Sequence, residues 1–472
     1  MESQINWLHL PDIIWELILC NLKVKHLLNA SETCKKFNYL LSRSPRLMKK
    51  LSLRIGNPDP FKFLILHNPA REKEYEEYLC KFKLFKKCLQ KSNRKYDSII
   101  ICDIKCAIFD IVKQFAKSVE QIKFLESSLQ DGEFFKIIQI MKNLKILKFE
   151  GRFFNIGQDK TSKKIVSSVN EIYIDNVEGF SFKKLHLFDK IIILDVYDCD
   201  YDCETFESFL LVQKNLKVLH LRSQRDDSLF RTDELTNNIK FSLHELTLDT
   251  VQWTDNEIAL KFFKTQINLK KVSLELQNLD KIGVDERMCH DDLLIHFFGN
   301  NLQLKTVFLT SECNINDFSF LDGIVNSSVE NLELRLDPLQ NATELIIVFA
   351  KLFPNVKNFT YAVSNETDHG LDQINNWKSL ESIKCEIRDI NQLFENINLN
   401  EKLTTCTINC TFRSQLKSPK LMEFLTCHKN IKHMTFCASR FHINISDEIL
   451  SLIVNTTKSL ETLICNGKNY II

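Results

Sequence analysis

The chain has 472 residues, of which 44% are hydrophobic, so it can bury a large core. Its 62 basic and 61 acidic side chains leave a net charge of +1, which argues against a broad basic face that binds nucleic acid. Only 10 glycines and 8 prolines are present, which excludes collagen-like or Gly/Pro-rich disordered character and leaves little room for a glycine-built phosphate loop.

The start of the chain lacks the pattern of a secretory signal, because Asp12 and Glu16 interrupt the apolar stretch from Ile5 to Leu22. No uncharged apolar run is long enough to span a bilayer, so we expect no membrane-spanning helix and no membrane partner. The 16 cysteines include no C-x-x-C pair, and we expect reduced thiols rather than zinc ligands. These features predict a cytoplasmic or nuclear protein.

The first predicted element is a helix that runs to Leu22, with Pro11 and Asp12 in or beside its first turn. Between Ile13 and Leu22 only Glu16 and Asn21 are polar. A helix that is apolar nearly all round must be covered on more than one side.

Two more short helices are predicted, at Val24–Ser31 and Cys34–Leu41. Three short helices in about 40 residues are at the limit of what folds alone. Part of the cover must therefore come from the following domain or from another protein. The alternative is that these helices only cap the following domain.

Apolar and small residues in this segment follow a recognisable order and spacing. The matching positions are Leu10-Pro11-Asp12, Ile14, Ile18-Leu19, Leu22, Leu27-Leu28, Ser31, Cys34-Lys35, Phe37 and Leu40. The segment therefore resembles an F-box, and the resemblance implies that it binds a Skp-type adaptor. By that resemblance the adaptor-binding residues are Leu10, Pro11, Ile14, Ile18, Leu22 and Leu27.

Three positions depart from the F-box pattern. The acidic Asp12 follows the proline directly, Phe37 stands where tryptophan is common, and Lys25-His26 occupies the place of a frequent aspartate. None of them places a charge in the predicted apolar stripe.

Residues 46–95 predict a connecting helical segment, in which Met48–Leu53 is a candidate early strand. The stretch Glu72–Gln90 is helix-like and basic towards its end, which indicates a solvated helix face or, alternatively, a docking patch.

From residue 96 onwards a motif returns, with one polar residue followed by apolar residues at three alternating positions. We place fifteen copies at a mean spacing of 26 residues. Their first apolar residues are Tyr96, Val119, Leu144, Val169, Ile191, Leu216, Leu243, Leu269, Leu304, Val329, Val356, Leu380, Leu403, Ile431 and Leu460. Asparagine or serine precedes that residue in eleven of the fifteen copies, as expected at a sharp turn into a strand.

Helical stretches are predicted between the strands, at Glu133–Lys142, Thr205–Lys214, Asp255–Gln266, Thr343–Leu352 and Ser446–Asn455. A strand and a helix every 26 residues resemble a leucine-rich-repeat solenoid, an α/β horseshoe with parallel strands inside and helices outside. The repeats are divergent, because only Cys199 matches the family's Asn or Cys after the strand. An ordinary α/β domain is the alternative.

The predicted domains are thus an F-box at 5–45, a connecting segment at 46–95 and a solenoid of about fifteen repeats at 96–472. No nucleotide-binding, hydrolase or zinc-protease motif occurs, so we predict no catalytic residue, no metal and no cofactor. The acidic stretch from Asp285 to Asp292 favours a solvated loop over a metal site.

The repeat register places a group of polar and aromatic residues on the concave face, where a protein target can bind. The predicted target-binding residues are Lys148, Glu171, Tyr173, Asp195, Tyr197, His220, Arg222 and Glu245. Acidic groups prevail, which favours a target segment with positive charge. A solvated face without a ligand, or binding at the C-terminal repeats, are the alternatives.

An F-box followed by leucine-rich repeats resembles the substrate receptors of Skp–cullin–F-box ubiquitin ligases. The resemblance implies a non-catalytic subunit that binds a protein target and reaches cullin and RING subunits through the adaptor. Two alternatives remain: a leucine-rich-repeat scaffold or inhibitor with no ligase role, and an enzyme on an unfamiliar α/β fold.

Overall fold

The chain divides into two compact units, Met1–Leu216 and Lys217–Ile472, here called unit 1 and unit 2. The computed structural model describes residues 10–48, 52–56, 87, 96–102, 108–127, 129, 132–151, 167–222, 238–249, 261–276, 294–311, 319–336, 342–363, 370–387, 394, 401–410, 418–438, 451, 453–455, 459–465 and 468–471.

Unit 1 begins with four short helices. They are α1 (Asp12–Cys20), α2 (Val24–Thr33), α3 (Lys35–Arg43) and α4 (Pro45–Met48). Helix α1 ends two residues before the predicted Leu22, and at its end the Asn21 side chain donates to the carbonyl of Leu17 (2.9 Å). The sequence predicted three helices, and α4 was missed.

Six strands follow in unit 1, each paired in parallel with the next along the chain. They are β1 (Ser52–Gly56), β2 (Ser98–Cys102), β3 (Gln121–Leu125), β4 (Ile146–Glu150), β5 (Glu171–Asp175) and β6 (Ile193–Tyr197). Strand β1 overlaps the end of the candidate early strand Met48–Leu53 and runs three residues beyond it.

The described connections of unit 1 contain helices Phe109–Phe115, Glu133–Ile140 and Cys203–Val212 and the 3-10 helix Phe182–Leu187. Two of them confirm the predicted helices at 133–142 and 205–214, each with bounds within two residues.

Alternate residues of each strand point into the core of unit 1, which is largely aromatic. Phe149 stacks on Phe124 (5.7 Å between ring centroids) and contacts Phe180 (5.3 Å), so rings from successive repeats touch. The buried carboxylate of Glu133 accepts hydrogen bonds from the backbone of Ile108 (2.6 Å) and Phe109 (3.0 Å), which caps the preceding helix.

Unit 2 repeats the same pattern with ten parallel strands and one antiparallel strand among its described residues. They are β7 (Val218–Arg222), β8 (Glu245–Asp249), β9 (Lys271–Leu276), β10 (Thr306–Ser311), β11 (Asn331–Leu336), β12 (Asn358–Val363), β13 (Ser382–Ile387), β14 (Thr405–Cys410), β15 (His433–Ala438), β16 (Thr462–Cys465) and the antiparallel β17 (Lys468–Ile471).

Helices of several kinds connect the strands of unit 2. They are the π-helix His296–Asn300, the 3-10 helices Ser319–Leu321 and Leu371–Asn376, and the α-helices Ala342–Leu352 and Ser418–Cys427. In its core Trp377 packs on Phe359 (4.7 Å) and donates a hydrogen bond from its indole to the carbonyl of Phe353 (2.9 Å).

The predicted repeat register coincides with the observed strands. All fifteen first apolar residues are buried. Each lies two residues before the start of one of the strands β2 to β16. The apolar and polar residues that alternate along each predicted strand therefore face the core and the solvent, respectively.

The asparagines and serines before these residues link each repeat to the one before it. Asn143 donates to the carbonyl of Lys117 (2.7 Å), and Ser168 donates to the carbonyl of Lys142 (2.8 Å). In unit 2 Asn355 donates to the carbonyl of Ser327 (2.9 Å). Their role is thus to satisfy turn carbonyls of the neighbouring repeat, in addition to shaping their own turn.

Several predicted elements lie at least partly outside the described residues. They are the helix-like stretch 72–90 apart from residue 87, the loop 285–292, the first half of the helix 255–266 and most of the helix 446–455.

Candidate functional site

Helix α1 presents four large apolar side chains to solvent. The exposed fraction is 52% for Ile13, 39% for Ile14, 48% for Leu17 and 42% for Ile18. Residues three and four apart share one helix face, so these four form a continuous stripe, here called the α1 stripe. Contiguous apolar surface of this kind typically marks an interaction site.

The opposite face of α1 anchors the helix to the rest of the helical region. Trp15 lies against Phe37 of α3, with ring centroids 4.6 Å apart, and Leu19 is buried. Helix α1 contacts both α3 and α4. The α1 stripe is therefore held on a packed support rather than on an isolated helix.

Lys36 of α3 fixes the start of α1. Its ammonium group lies 3.2 Å from the carboxylate of Asp12 and donates to the carbonyl of Leu10 (2.9 Å). Because Asp12 follows Pro11 directly, its carboxylate is within reach of Lys36. This contact gives the unusual position of the acidic residue a structural role.

Five predicted target-binding residues lie on the solvent-facing side of β4, β5 and β6 in unit 1. The ammonium group of Lys148 lies 4.4 Å from the centre of the Tyr173 ring, and the Tyr173 hydroxyl donates to Glu171 (3.0 Å). Tyr173 is also the register partner of Asp195, and Tyr197 is exposed. Burial, the hydrogen bond to Glu171 and the nearby carboxylates raise the pKa of Tyr173 to about 12. The hydroxyl thus stays protonated and acts as a donor.

The other three predicted target-binding residues lie on β7 and β8 of unit 2. His220 contacts Glu245 (3.1 Å), and Lys271 of β9 forms an ion pair with the same carboxylate. Burial alone would raise the pKa of Glu245, but Lys271 and His220 outweigh it and hold the pKa below its ordinary value. Arg222 follows His220 on the same strand face, half-buried.

Two observations concern metal ligands and cysteine thiols in the described part of the chain. No group of three His, Cys, Asp or Glu side chains there is placed to hold a metal ion. Burial raises the pKa of the Cys199 and Cys406 thiols to about 12, so neither is a ready nucleophile.

Among the described helices, none has the length and apolar content needed to cross a bilayer.

Comparison with protein families identifies the helical region, because a family model described as the F-box domain matches residues 7–49. Residues 7–49 form an F-box domain. The match includes α1 to α4, so the helix missed by the sequence lies within the F-box. The strands that follow are parallel and regularly spaced, and the same positions are buried in each repeat. They form a leucine-rich-repeat fold.

Comparisons with whole proteins give only distant likenesses. The chain is similar to the solved structure of an internalin (inlF) from Listeria monocytogenes, with 14% identity over 81% of this chain and 89% of that chain and a TM-score of 0.36. It is also similar to TLR13 in a complex with ssRNA13, with 11% identity over 92% of this chain and 55% of that chain and a TM-score of 0.35. The chain thus spans about half the length of TLR13. No curated protein sequence matches the chain.

The F-box residues predicted to bind an adaptor occupy different environments. Ile14 and Ile18 lie in the α1 stripe, and Pro11 is exposed at its beginning. Leu10 and Leu22 are half-buried at the two ends of α1.

Leu27 of α2 is fully buried and has no exposed surface in this conformation. Direct contact of Leu27 with an adaptor stays a prediction. Its observed position is inside the helical core, where it supports the surface.

Sequence reasoning missed three exposed residues of the F-box. Ile13 and Leu17 complete the α1 stripe, and Tyr39 of α3 is 50% exposed. The signal for the first two was present, because each precedes a predicted residue by one position on the same wide helix face. For Tyr39 the helical periodicity alone gave no signal.

Proposed function

We propose that this chain is the substrate-recognition subunit of a Skp–cullin–F-box E3 ubiquitin ligase. The F-box binds a Skp-type adaptor, and the solvent-facing side of the repeat strands binds a protein target. The observation that carries the proposal is the α1 stripe, an apolar surface left open within an F-box domain.

Burial of the α1 stripe supplies the driving force for adaptor binding. Each Å² of apolar surface that the stripe buries contributes about 25 cal/mol to the free energy of binding. The stripe consists of Ile13, Ile14, Leu17 and Ile18. Trp15 and Leu19 hold the stripe in place, so little conformational entropy is lost when the adaptor binds.

The chemistry of ubiquitin transfer belongs to other subunits in this proposal. Cullin and RING subunits reach the chain through the adaptor, and the repeats bring the target close to them. We propose no catalytic residue and no cofactor for this chain. The compartment stays the one predicted from the sequence, the cytoplasm or the nucleus.

The target site proposed for unit 1 is the strand face around Tyr173 and Tyr197. Two aromatic rings beside Glu171 and Asp195 suit a target segment that carries lysine or arginine. In unit 2, His220, Arg222 and Glu245 offer a second polar surface, for which the same kind of target is proposed.

Co-purification of the full chain with a Skp-type adaptor tests the proposal. We expect the wild type to retain the adaptor and Ile14→Asp/Ile18→Asp to lose it, with affinity reduced at least about a hundredfold, because two anchors would become charged. The matched control is Val212→Asp, which changes a side chain of similar exposure, 39%, in the helix Cys203–Val212.

Failure of the wild type to bind any Skp-type adaptor would contradict the ligase role and favour a leucine-rich-repeat scaffold or inhibitor. Equal loss of adaptor in Val212→Asp would show that the effect is not specific to the α1 stripe. Circular dichroism melting curves of each variant separate binding effects from misfolding.

A further inference from the structure

Three aliphatic side chains protrude from turns of unit 2. The exposed fractions are 66% for Ile267, 72% for Leu302 and 58% for Val325. These are the three most exposed large hydrophobic side chains among the described residues, and none belongs to the F-box. Single exposed aliphatic residues are ordinary, whereas several that lie close together form the kind of apolar surface that marks an interaction site.

The three side chains lie at one edge of the sheet in unit 2. Ile267 and Leu302 each precede the start of a strand by four residues, and those strands pair in register at Lys271 and Thr306. The turns that carry Ile267 and Leu302 therefore lead into neighbouring strands, which are about 4.8 Å apart along the sheet.

Val325 joins the same edge through its neighbour in the chain. The Asn326 side chain donates to the carbonyl of Asn301 (3.0 Å), the residue that precedes Leu302. A second bond, to the carbonyl of Phe298 (2.7 Å), fixes this turn. The turn that carries Val325 is thus bonded to the turn that carries Leu302.

A row of basic residues runs along the same edge. The backbone N–H of His244 donates to Lys217 (2.7 Å), that of Lys270 donates to His244 (2.8 Å), and that of Lys305 donates to Lys270 (2.8 Å). Four consecutive repeats therefore place a lysine or histidine next to one another. Burial and the ammonium groups of Lys217 and Lys270 lower the pKa of His244, so this imidazole is neutral near pH 7 and the lysines carry the charge of the row.

The described carboxylates along this row do not cancel its charge. Glu245 is shared by Lys271 and His220. Glu330 is shared by Lys305 (3.0 Å) and Lys357 (3.1 Å). Each of these two carboxylates thus has two basic partners, so Lys217 and Lys270 stand in excess of them. A further carboxylate, that of the exposed Asp322, lies three residues before Val325.

Protruding aliphatic residues and basic residues coincide at this edge and not along the rest of unit 2. At the turn position of Ile267 and Leu302, the later repeats carry Ser327, Pro354, Lys378, Glu401 and Lys429. In the basic row, the later repeats carry Glu330, Lys357, Glu381, Thr404, Lys432 and Glu461. In these later repeats no aliphatic residue stands at the turn position, and the basic residues Lys357 and Lys432 alternate with acidic or neutral ones.

We propose that this edge binds the surface of an anionic lipid membrane. We call it the turn patch and define it by Ile267, Leu302, Val325, Lys217, His244 and Lys270. The aliphatic residues enter the headgroup region, and the lysines contact lipid phosphates and carboxylates.

The shape of the turn patch favours a lipid surface over a protein groove as its partner. Its apolar residues are aliphatic tips on turns with lysines beside them, an arrangement that suits shallow entry into an anionic headgroup region. The sequence predicted no membrane partner because it lacks a membrane-spanning segment. Peripheral binding at one edge needs no such segment. The net charge of +1 describes the whole chain and does not reveal a local basic edge.

Sedimentation with lipid vesicles tests the proposal on the full chain. We expect binding to vesicles of phosphatidylcholine with about 30% phosphatidylserine, and weak binding to phosphatidylcholine alone. Ile267→Asp/Leu302→Asp should lower the partition coefficient at least about tenfold, and Lys270→Glu at least about fivefold. Salt at about 0.5 M should also weaken binding.

Matched controls change the same residue types elsewhere in unit 2. Val454→Asp alters another exposed aliphatic residue, and Lys378→Glu alters the equivalent turn of a later repeat. Both should bind vesicles as the wild type does. In a Leu302→Trp variant, tryptophan fluorescence should shift to shorter wavelength when anionic vesicles are added. This shift measures insertion directly and does not depend on a loss of binding.

The proposal is overturned if the wild type does not bind anionic vesicles at low salt. It is equally overturned if the control variants lose as much binding as the patch variants, or if vesicles leave the emission of the Leu302→Trp variant unchanged. Saturable binding of an acidic peptide that depends on Leu302, without vesicle binding, would assign the turn patch to a protein partner instead.

Discussion

At the scale of single residues, the direction of each side chain separates support from surface. Ile14 and Trp15 are neighbours in α1, yet Ile14 faces solvent while Trp15 packs on Phe37. Likewise Leu27 matches an F-box position but lies in the core. Residue type alone therefore does not tell which apolar residues can reach a partner.

A buried histidine makes the stability of unit 2 depend on pH. His428 is 1% exposed, its Nδ1 lies 2.8 Å from the Phe424 carbonyl, and burial lowers its pKa below 6.5 although that hydrogen bond opposes the shift. The unfolded chain therefore takes up a proton at a higher pH than the folded chain. Stability is unaffected above about pH 6.5 and falls as the pH drops below that value.

We expect the melting temperature to decline between pH 7 and pH 5.5, and to decline less in His428→Gln. Calorimetry over this pH range measures both slopes. His433→Gln, at a half-exposed position on β15, is the control and should keep the wild-type slope. A steeper or unchanged slope in His428→Gln would contradict the assignment.

At the scale of elements, the residue after each of the strands β3 to β6 has a left-handed backbone conformation. Glu126, Gly151, Asn176 and Asp198 follow β3, β4, β5 and β6, and all have positive φ. The N–H of Gly151 donates to Asp175 (3.0 Å), and that of Asn176 donates to Tyr197 (2.8 Å). The left-handed backbone thus directs an N–H towards the next repeat, at a conformational cost for the non-glycine residues.

Gly151→Ala should destabilise unit 1 by about 1–3 kcal/mol, because φ is +101° and an added Cβ would lie 2.4 Å from Cδ of Glu126. Gly179 is the matched control, since its φ is +62° and no atom lies within 4 Å of an added Cβ. Chemical unfolding should show a smaller loss for Gly179→Ala. Equal losses would mean that contact with Glu126 contributes nothing.

At the scale of the whole molecule, the proposal assigns two binding events to one chain, one to the F-box and one to the repeat strands. The proposed adaptor surface lies on α1, whereas the proposed target residues lie on strand faces of unit 1 and unit 2. Changes at one site should therefore leave the other intact.

This independence gives a test of the target site. Proteins captured by the Ile14→Asp/Ile18→Asp chain, and identified by mass spectrometry, provide the target. Its affinity should fall about thirtyfold in Tyr173→Ala/Tyr197→Ala, because two aromatic anchors are lost. Thr360→Ala/Thr407→Ala, on strand faces of unit 2, is the control. Unchanged affinity in the tyrosine variant would remove this site from consideration.

Much of the fold could be read from periodicity. The alternation around Leu144 or Val329 predicted the strands because a strand with one buried face needs it. The Asn and Ser residues were expected to shape turns, but their bonds to the preceding repeat could not be read from one repeat alone. Helix α4 is four residues long, too short to show a helical period.

The sequence by itself determined the repeat register, the apolar character of α1 and the F-box pattern, because each depends on spacing along the chain. Only the tertiary structure decided that Leu27 is covered while Ile13 and Leu17 are open. It also brought Ile267, Leu302 and Lys217 to one edge. Exposure and local charge depend on which segments become neighbours, and a net charge of +1 carries no such information.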